Sequence, residues 1–335
     1  MTAKTNAARQ AITAASRRSA PEIVCLGEPL VEFTLRGGSA GSAPVPQEPP
    51  LYQQGFGGDT SNTAIAAARQ GAAVGYISAI GTDAFGTALW DLWQAEGVDT
   101  THVQRHPAAK TGIYFIMPHP SGRSFTYFRE GSAASRLAPA DMSADYIATA
   151  KILHVSAISQ AISASACDAV FRAIDIARSH GVLVAYDSNL RLNLWPLARA
   201  RAVTHEAMRL CDIAFPSIDD SRELAGLEKA DDIADFYLKA GARVVALKLG
   251  ADGALIATPT GRARIPPYPV TPVDATGAGD AFDGAFLAAY CKDGDPFTAA
   301  KRAAIAAALT TTGYGALSAL PRAEETAQRL ADWKQ

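Results

Sequence analysis

The densest run of residues able to do chemistry is Asp274-Ala275-Thr276-Gly277-Ala278-Gly279-Asp280, followed by Ala281-Phe282-Asp283-Gly284. Gly277, Ala278 and Gly279 carry at most a methyl group, so nothing blocks their N–H groups from converging on one cavity. Phe282, Phe286 and Ala289 recur at helical spacing, so a helix is predicted to begin here and to add about half a positive charge at its start. Bare amides and a helix start together make an anion hole suited to a phosphoryl group in transfer. Asp280 falls in the first helical turn. It either caps the helix or takes a proton from an attacking hydroxyl. Asp283, one turn on, reads as structural. The competing signatures are absent: there is no G-x-x-x-x-G-K-[ST], no complete G-x-G-x-x-G after a strand, no H-E-x-x-H and no G-x-S-x-G.

Four further segments carry polar groups in useful patterns. Gly55-Phe56-Gly57-Gly58-Asp59-Thr60-Ser61-Asn62 combines close backbone approach at Gly58 with an acceptor, Asp59, and a donor-acceptor, Asn62. That pair suits polyol hydroxyls; taken alone, the segment is a glycine-rich loop with an Asp N-cap. Asp187, Asn189 and Arg191 alternate at the end of an expected strand and so point one way. Arg191 can grip a phosphate or carboxylate with two N–H groups. Tyr127 and Arg129 share one face of an expected hairpin, although an edge-strand arginine can equally be solvated. Lys248-Leu249-Gly250-Ala251-Asp252-Gly253 ends an apolar run with a flexible turn, fit to pass beneath an adenine ring or to be a plain β-turn.

The elements that must position these residues alternate. Strands are expected at 23–26, 30–35, 74–80, 151–156, 182–186, 212–215 and 243–248, with helices at 59–71, 84–96, 163–180, 197–210 and 219–240. Two antiparallel pieces follow (254–258, 262–268), then helices near 279–291, 295–312 and 322–333. Strands separated by helices of this length are βαβ units, so the fold class is α/β, a doubly wound, mostly parallel sheet covered on both faces. The runs 113–117 and 124–128 flank His119-Pro120-Ser121-Gly122 with no helix between them, which predicts a hairpin. Segments near 32–56 and 109–130 then form a small β lid on a domain spanning 22–335. In such a sheet the ligand lies at the carboxyl ends of the strands.

Composition narrows the partners. Over 335 residues, 31 Lys+Arg stand against 33 Asp+Glu, a formal charge of −2, which gives no electrostatic reason to expect nucleic acid or an anionic membrane. No stretch is apolar enough to span a bilayer. The four cysteines, Cys25, Cys167, Cys211 and Cys291, lie far apart in apolar surroundings and read as small buried hydrophobes of a cytoplasmic protein. Residues 1–21, rich in Ala, Ser and Thr with Arg9, Arg17 and Arg18, are a disordered tail, a targeting segment or the product of an early start codon.

In this order the segments resemble the ribokinase-like (PfkB) carbohydrate kinases, from about residue 22 to 320. The most specific pieces are GGDTSNTAIAAARQG at 57–71 and DATGAGDAFDGAFLAA at 274–289. The resemblance implies a sheet with a β lid, lid-mediated homodimers, and MgATP-dependent phosphorylation of a sugar hydroxyl. It places Asp280 on the catalytic base, Gly277, Ala278 and Gly279 on the anion hole, and Gly58, Asp59 and Asn62 on the sugar. Tyr127, Arg129 and Arg191 join the substrate side, and Asn189, Lys248, Gly250, Asp252 and Gly253 the nucleotide side. GEPLVEF at 27–33, YFREGSAASRL at 127–137, SAISQAIS at 156–163 and DSNLRLNLW at 187–195 are most similar to the 2-keto-3-deoxygluconate kinases, and two arginines would suit a sugar acid. Fructokinases or other hexose kinases, nucleoside kinases and a non-catalytic sugar-binding regulator are the alternatives. Where many members have N-x-x-E, this chain has Ser217 and Asp220, so Asp220 is expected to reach magnesium through water. A monovalent cation near Asp274 and Thr276 is a further implication.

Overall fold

The computed structural model describes residues 20–36, 50–119 and 122–333. The expected N-terminal tail and the 36–50 loop thus lie almost wholly outside the described residues. In chain order the strands are β1 (Ile23–Leu26), β2 (Leu30–Arg36), β3 (Leu51–Gly57), β4 (Val74–Gly81), β5 (Val103–His106), β6 (Ile113–His119), β7 (Gly122–Phe128), β8 (Ile152–Ser156), β9 (Leu183–Asp187), β10 (Ile213–Phe215), β11 (Val244–Lys248), β12 (Ala254–Thr258) and β13 (Gly261–Ile265). A nine-stranded sheet runs in the order β13-β12-β11-β10-β9-β8-β1-β4-β5. It is parallel from β11 to β5, and β12 and β13 add antiparallel strands at one edge. The fold is α/β, with a large, mostly parallel sheet between helices.

Apolar runs explain that sheet. β1, β4 and β8 are buried along their whole length, as strands sandwiched between helices must be. Alternate residues feed two cores. Val24, Leu26, Leu153 and Val155 face the helices Ala164–Ser179, Leu197–Leu210 and Ala230–Ala240, whereas Ile23, Cys25, Ile152 and Ile213 face Asp59–Arg69, Ala84–Ala95, Ala278–Asp293 and Pro296–Thr310. Cys25, Cys167 and Cys211 are buried and Cys291 is half-buried, all as free thiols. Among the described residues no helix is long and apolar enough to cross a membrane.

The chain leaves β1 for β4 and β5 on one side, then returns to β8 and its successors on the other. Strand order therefore reverses at β1, and the crevice at the carboxyl ends opens there. Over that crevice a second sheet, β3-β2-β6-β7, stands on the β1–β2 turn and the segments flanking the β6–β7 hairpin. Its strands come from residues 30–36, 51–57, 113–119 and 122–128. Its inner face carries Tyr114 stacked on Tyr127 with ring centroids 5.5 Å apart. Its outer face carries the Phe33–Phe115 stack and the Tyr52–Phe115 and Phe115–Phe128 edge contacts.

Three local expectations needed correction. Residues 219–240 are two helices, Ile218–Ala225 and Ala230–Ala240, because Gly226 turns left-handed at φ 69° and stops the first. Gly55–Gly57 end strand β3 instead of forming a loop, since β2 pairs with them residue for residue. Asp59 does not cap its helix: Gly58 holds the N-cap position at φ 97° and no side chain caps it.

Candidate active site

A cleft of about 1020 Å³ opens at the carboxyl ends of β1, β9, β10 and β11 and is roofed by the inner face of the second sheet. Gly277 is the N-cap of the Ala278–Asp293 helix at φ 76°. A Cβ there would lie 2.5 Å from Ala316 Cβ, so both conformation and space demand glycine. The first helical turn thereby sets Gly277, Ala278 and Gly279 along the cleft with Asp280 beside them. Of the three amides expected to form an anion hole, that of Ala278 instead donates to Ala275 O at 3.2 Å, because the chain turns tightly into the helix there, and those of Gly277 and Gly279 have no acceptor among the described residues.

Packing between two helices sets the geometry of Asp280. At Gly284 an added Cβ would approach Ala66 Cβ to 2.5 Å and Thr63 O to 2.6 Å, so the Ala278–Asp293 and Asp59–Arg69 helices touch through small residues. That close approach carries Asn62 to Asp280, and Asn62 Nδ2 donates to Asp280 Oδ2 at 2.8 Å. Among the described residues Oδ1 has no hydrogen-bond partner. Burial, reinforced by the nearby charge of Asp59, pushes the Asp280 carboxyl up to about 7. A carboxylate that titrates near neutrality, with one oxygen held and one facing a cleft, fits a general base.

Asp59 is buried, and burial raises it as well. Its Oδ1 accepts from the Thr60 amide at 2.8 Å and its Oδ2 from Asn189 Nδ2 at 3.1 Å. Asn189, expected with the nucleotide, thus sits with the Asp59 group. Asp187, Asn189 and Arg191 all line the cleft, although only Asp187 belongs to a strand.

The two arginines differ. Arg129 is paired with buried Glu28, whose other oxygen accepts from Ser132 Oγ at 3.0 Å. Burial raises Glu28, and Arg129 opposes that rise. Arg129 also lies over the Tyr127 ring, 5.4 Å from its centroid. Arg191 has no carboxylate in ion-pair reach among the described residues; its Nη1 donates to Leu190 O at 2.8 Å. One guanidinium is compensated and the other is available to an anion.

On the side expected to bind nucleotide, Lys248 and Gly250 line the cleft but Asp252 and Gly253 do not. Asp252 is exposed, and Gly253, at φ 85°, makes the turn into β12. Ser217 caps the Ile218–Ala225 helix, its Oγ accepting from the Asp220 amide at 3.0 Å. Asp220 accepts from Ser188 Oγ at 2.7 Å and is raised by burial. The cleft is lined by six carboxylates, Glu28, Asp59, Asp187, Asp219, Asp220 and Asp280, against three cations, Arg129, Arg191 and Lys248. Among the described residues no three of these acids group to hold a metal ion directly, so a divalent cation would meet them through water and through the phosphates it accompanies.

Asp274 Oδ1 accepts from Thr276 N at 2.9 Å and from Thr276 Oγ1 at 2.7 Å, and Oδ2 accepts from Gly315 N at 2.8 Å. The residues expected near a monovalent cation therefore tie together the two loops beside the anion hole. Glu28 and Tyr114 carry no site signal in the sequence, yet both line the cleft. Tyr114 lay unmarked within an apolar β-run, and Glu28 in a Gly-Glu-Pro turn that carries no signal of its partner a hundred residues on.

Comparison with known proteins bears directly on this geometry. Residues 20–323 match the pfkB family of carbohydrate kinases. The chain is 33% identical over 314 residues to the 2-dehydro-3-deoxygluconokinase of Thermoproteus tenax, covering 92% of this chain and 94% of that one. It is 32% identical over 316 residues to fructokinase-2 of Solanum habrochaites, covering 90% and 94%. A crystal structure of a protein assigned as ribokinase II from E. coli, in complex with ATP and Mg2+, superposes with a TM-score of 0.85 at 25% identity, covering 93% of this chain and 100% of that one.

Proposed function

The chain belongs to the pfkB family of carbohydrate kinases, and on that premise we propose that it transfers the γ-phosphoryl group of ATP to the terminal hydroxyl of 2-keto-3-deoxygluconate. The observation that carries the choice of a sugar acid is the uncompensated Arg191 guanidinium in the cleft, beside an arginine already neutralised by Glu28. A carboxylate would be its natural partner. The relatives that share a third of this sequence and act on the same keto acid support the reading.

Asp280 takes the hydroxyl proton as attack proceeds. The Gly277 and Gly279 amides face the charge that spreads over the transferring group. Asp59 and Asn189 orient sugar hydroxyls, and the second sheet excludes water, the competing acceptor. Asp220 would hold magnesium through water, and magnesium, when bound with the nucleotide, offsets phosphate charge. Exposed Tyr52 and Phe128 on the outer face of the lid support pairing of two copies through that face, and four free cysteines support a cytoplasmic setting.

The test is ATP consumption across 2-keto-3-deoxygluconate, its galacto epimer, fructose, ribose and adenosine. The keto acids should be turned over fastest. A preference for fructose would transfer the assignment to the fructokinases, which match nearly as well, and no turnover of any sugar would leave a binding protein.

A further inference from the structure

One charge cluster joins the floor of the cleft, at Lys248 and Asp187, to the buried Asp283 and has no part in the scheme above. Lys248 Nζ, at the end of β11, lies 2.9 Å from Asp187 Oδ1 at the end of β9. The same nitrogen lies 3.2 Å and 3.1 Å from Asp283 Oδ1 and Oδ2, in the second turn of the Ala278–Asp293 helix. The Asp283 side chain is wholly shielded from solvent, and Phe282 and Phe286 flank it on the helix. A carboxylate among apolar neighbours is costly unless it is paired, and an apolar side chain would pack there without that cost. The pair spans two elements and holds one geometry. Burial pulls the Lys248 ammonium down, yet Asp187 and Asp283 outweigh it and hold it up, while burial and the neighbouring Asp187 push the Asp283 carboxyl up against the pull of Lys248. The ammonium also borders the first turn, since a Cβ placed on Gly279 would lie 3.7 Å from Nζ.

We propose that Lys248 and Asp283 are positioning residues for phosphoryl transfer, clamping the anion-hole helix to the ends of β9 and β11 so that the Gly277 and Gly279 amides and Asp280 stay in register with the cleft. The inference rests on the reading of those amides as the phosphoryl site. A helix start held only by backbone and apolar packing can tilt, and a misplacement of about 1 Å at a reacting centre can cost on the order of 10²-fold in rate.

Asp283→Asn is the principal variant, because it loosens the helix end of the clamp while leaving Lys248 paired with Asp187. It should lower kcat by about 10- to 100-fold with KM for the sugar unchanged. It should weaken MgADP-fluoroaluminate, measured with sugar present, by the same factor while sparing MgATP affinity. Lys248→Met leaves two acids unpaired and can fail to fold; Lys248→Arg keeps the charge on a different fork and should restore part of kcat. A lower melting temperature with wild-type kcat and wild-type analogue affinity in Asp283→Asn would overturn the clamp. Asp280→Asn, run alongside, separates the two failures. Retained turnover there defeats the site itself, whereas loss there without loss in Asp283→Asn removes only the clamp.

Discussion

At the scale of single residues, the site is a set of carboxyls whose surroundings drive them apart. Asp280 is raised to about 7 by burial and by Asp59, so kcat/KM should climb with pH and level off above about 7, as measured in the free-enzyme pH profile. The same shift has a cost in stability. The unfolded chain releases this proton near its ordinary value of 3.8 and the folded chain near 7, so folding stability falls between those two points and stays low above them. Asp280→Asn should therefore raise the melting temperature at pH 8 and change it little at pH 4. Arg191→Leu should raise KM for 2-keto-3-deoxygluconate by tenfold or more, as expected for a lost charge-assisted pair of about 1.5–3 kcal/mol, and leave fructose kinetics unchanged. Arg129→Leu is a poorer probe than its sequence suggests, because it strands Glu28 in the interior, and breaking such a pair costs about 3–5 kcal/mol. Equal loss on acidic and neutral sugars in Arg191→Leu would remove the carboxylate contact.

Secondary-structure elements bring these residues into reach. Gly284 lets two helices touch, and their contact delivers Asn62 to Asp280. Gly284→Ala should push them apart and lower both the thermal midpoint and kcat, whereas Gly277→Ala, facing Ala316 at φ 76°, should abolish turnover and destabilise by more than about 1 kcal/mol. Calorimetry beside steady-state rates distinguishes the two; a neutral Gly277→Ala would contradict the anion hole. Much of this level was legible in sequence. Apolar runs spaced by helices announced the parallel sheet, and the small-residue run at 274–280 announced the helix that starts at Gly277 with Asp280 in its first turn. What escaped were pairings whose partners lie far apart in the chain. Glu28 with Arg129, Asn189 with Asp59, and Lys248 with Asp187 and Asp283 join segments that no periodicity connects. Strand β5 escaped too, because its alternation is brief and only β4 gives it a partner.

Across the whole molecule, two sheets enclose the cleft. One carries Asp187, Lys248 and their polar neighbours at its strand ends, and the other roofs the cleft with the stacked Tyr114 and Tyr127 of its inner face. The outer face leaves Phe128 60% exposed, which is why pairing of two copies is expected there. Light scattering should report a dimer, and Phe128→Glu a monomer with weakened sugar affinity; a monomeric wild-type chain would contradict the pairing. The central claim, that Asp280 takes the acceptor's proton beside a nest of bare amides, is tested most directly by turnover of Asp280→Asn on 2-keto-3-deoxygluconate, with MgATP binding measured on the same protein. We expect a loss of about two orders of magnitude or more in kcat with nucleotide affinity intact; turnover at the wild-type rate would contradict it.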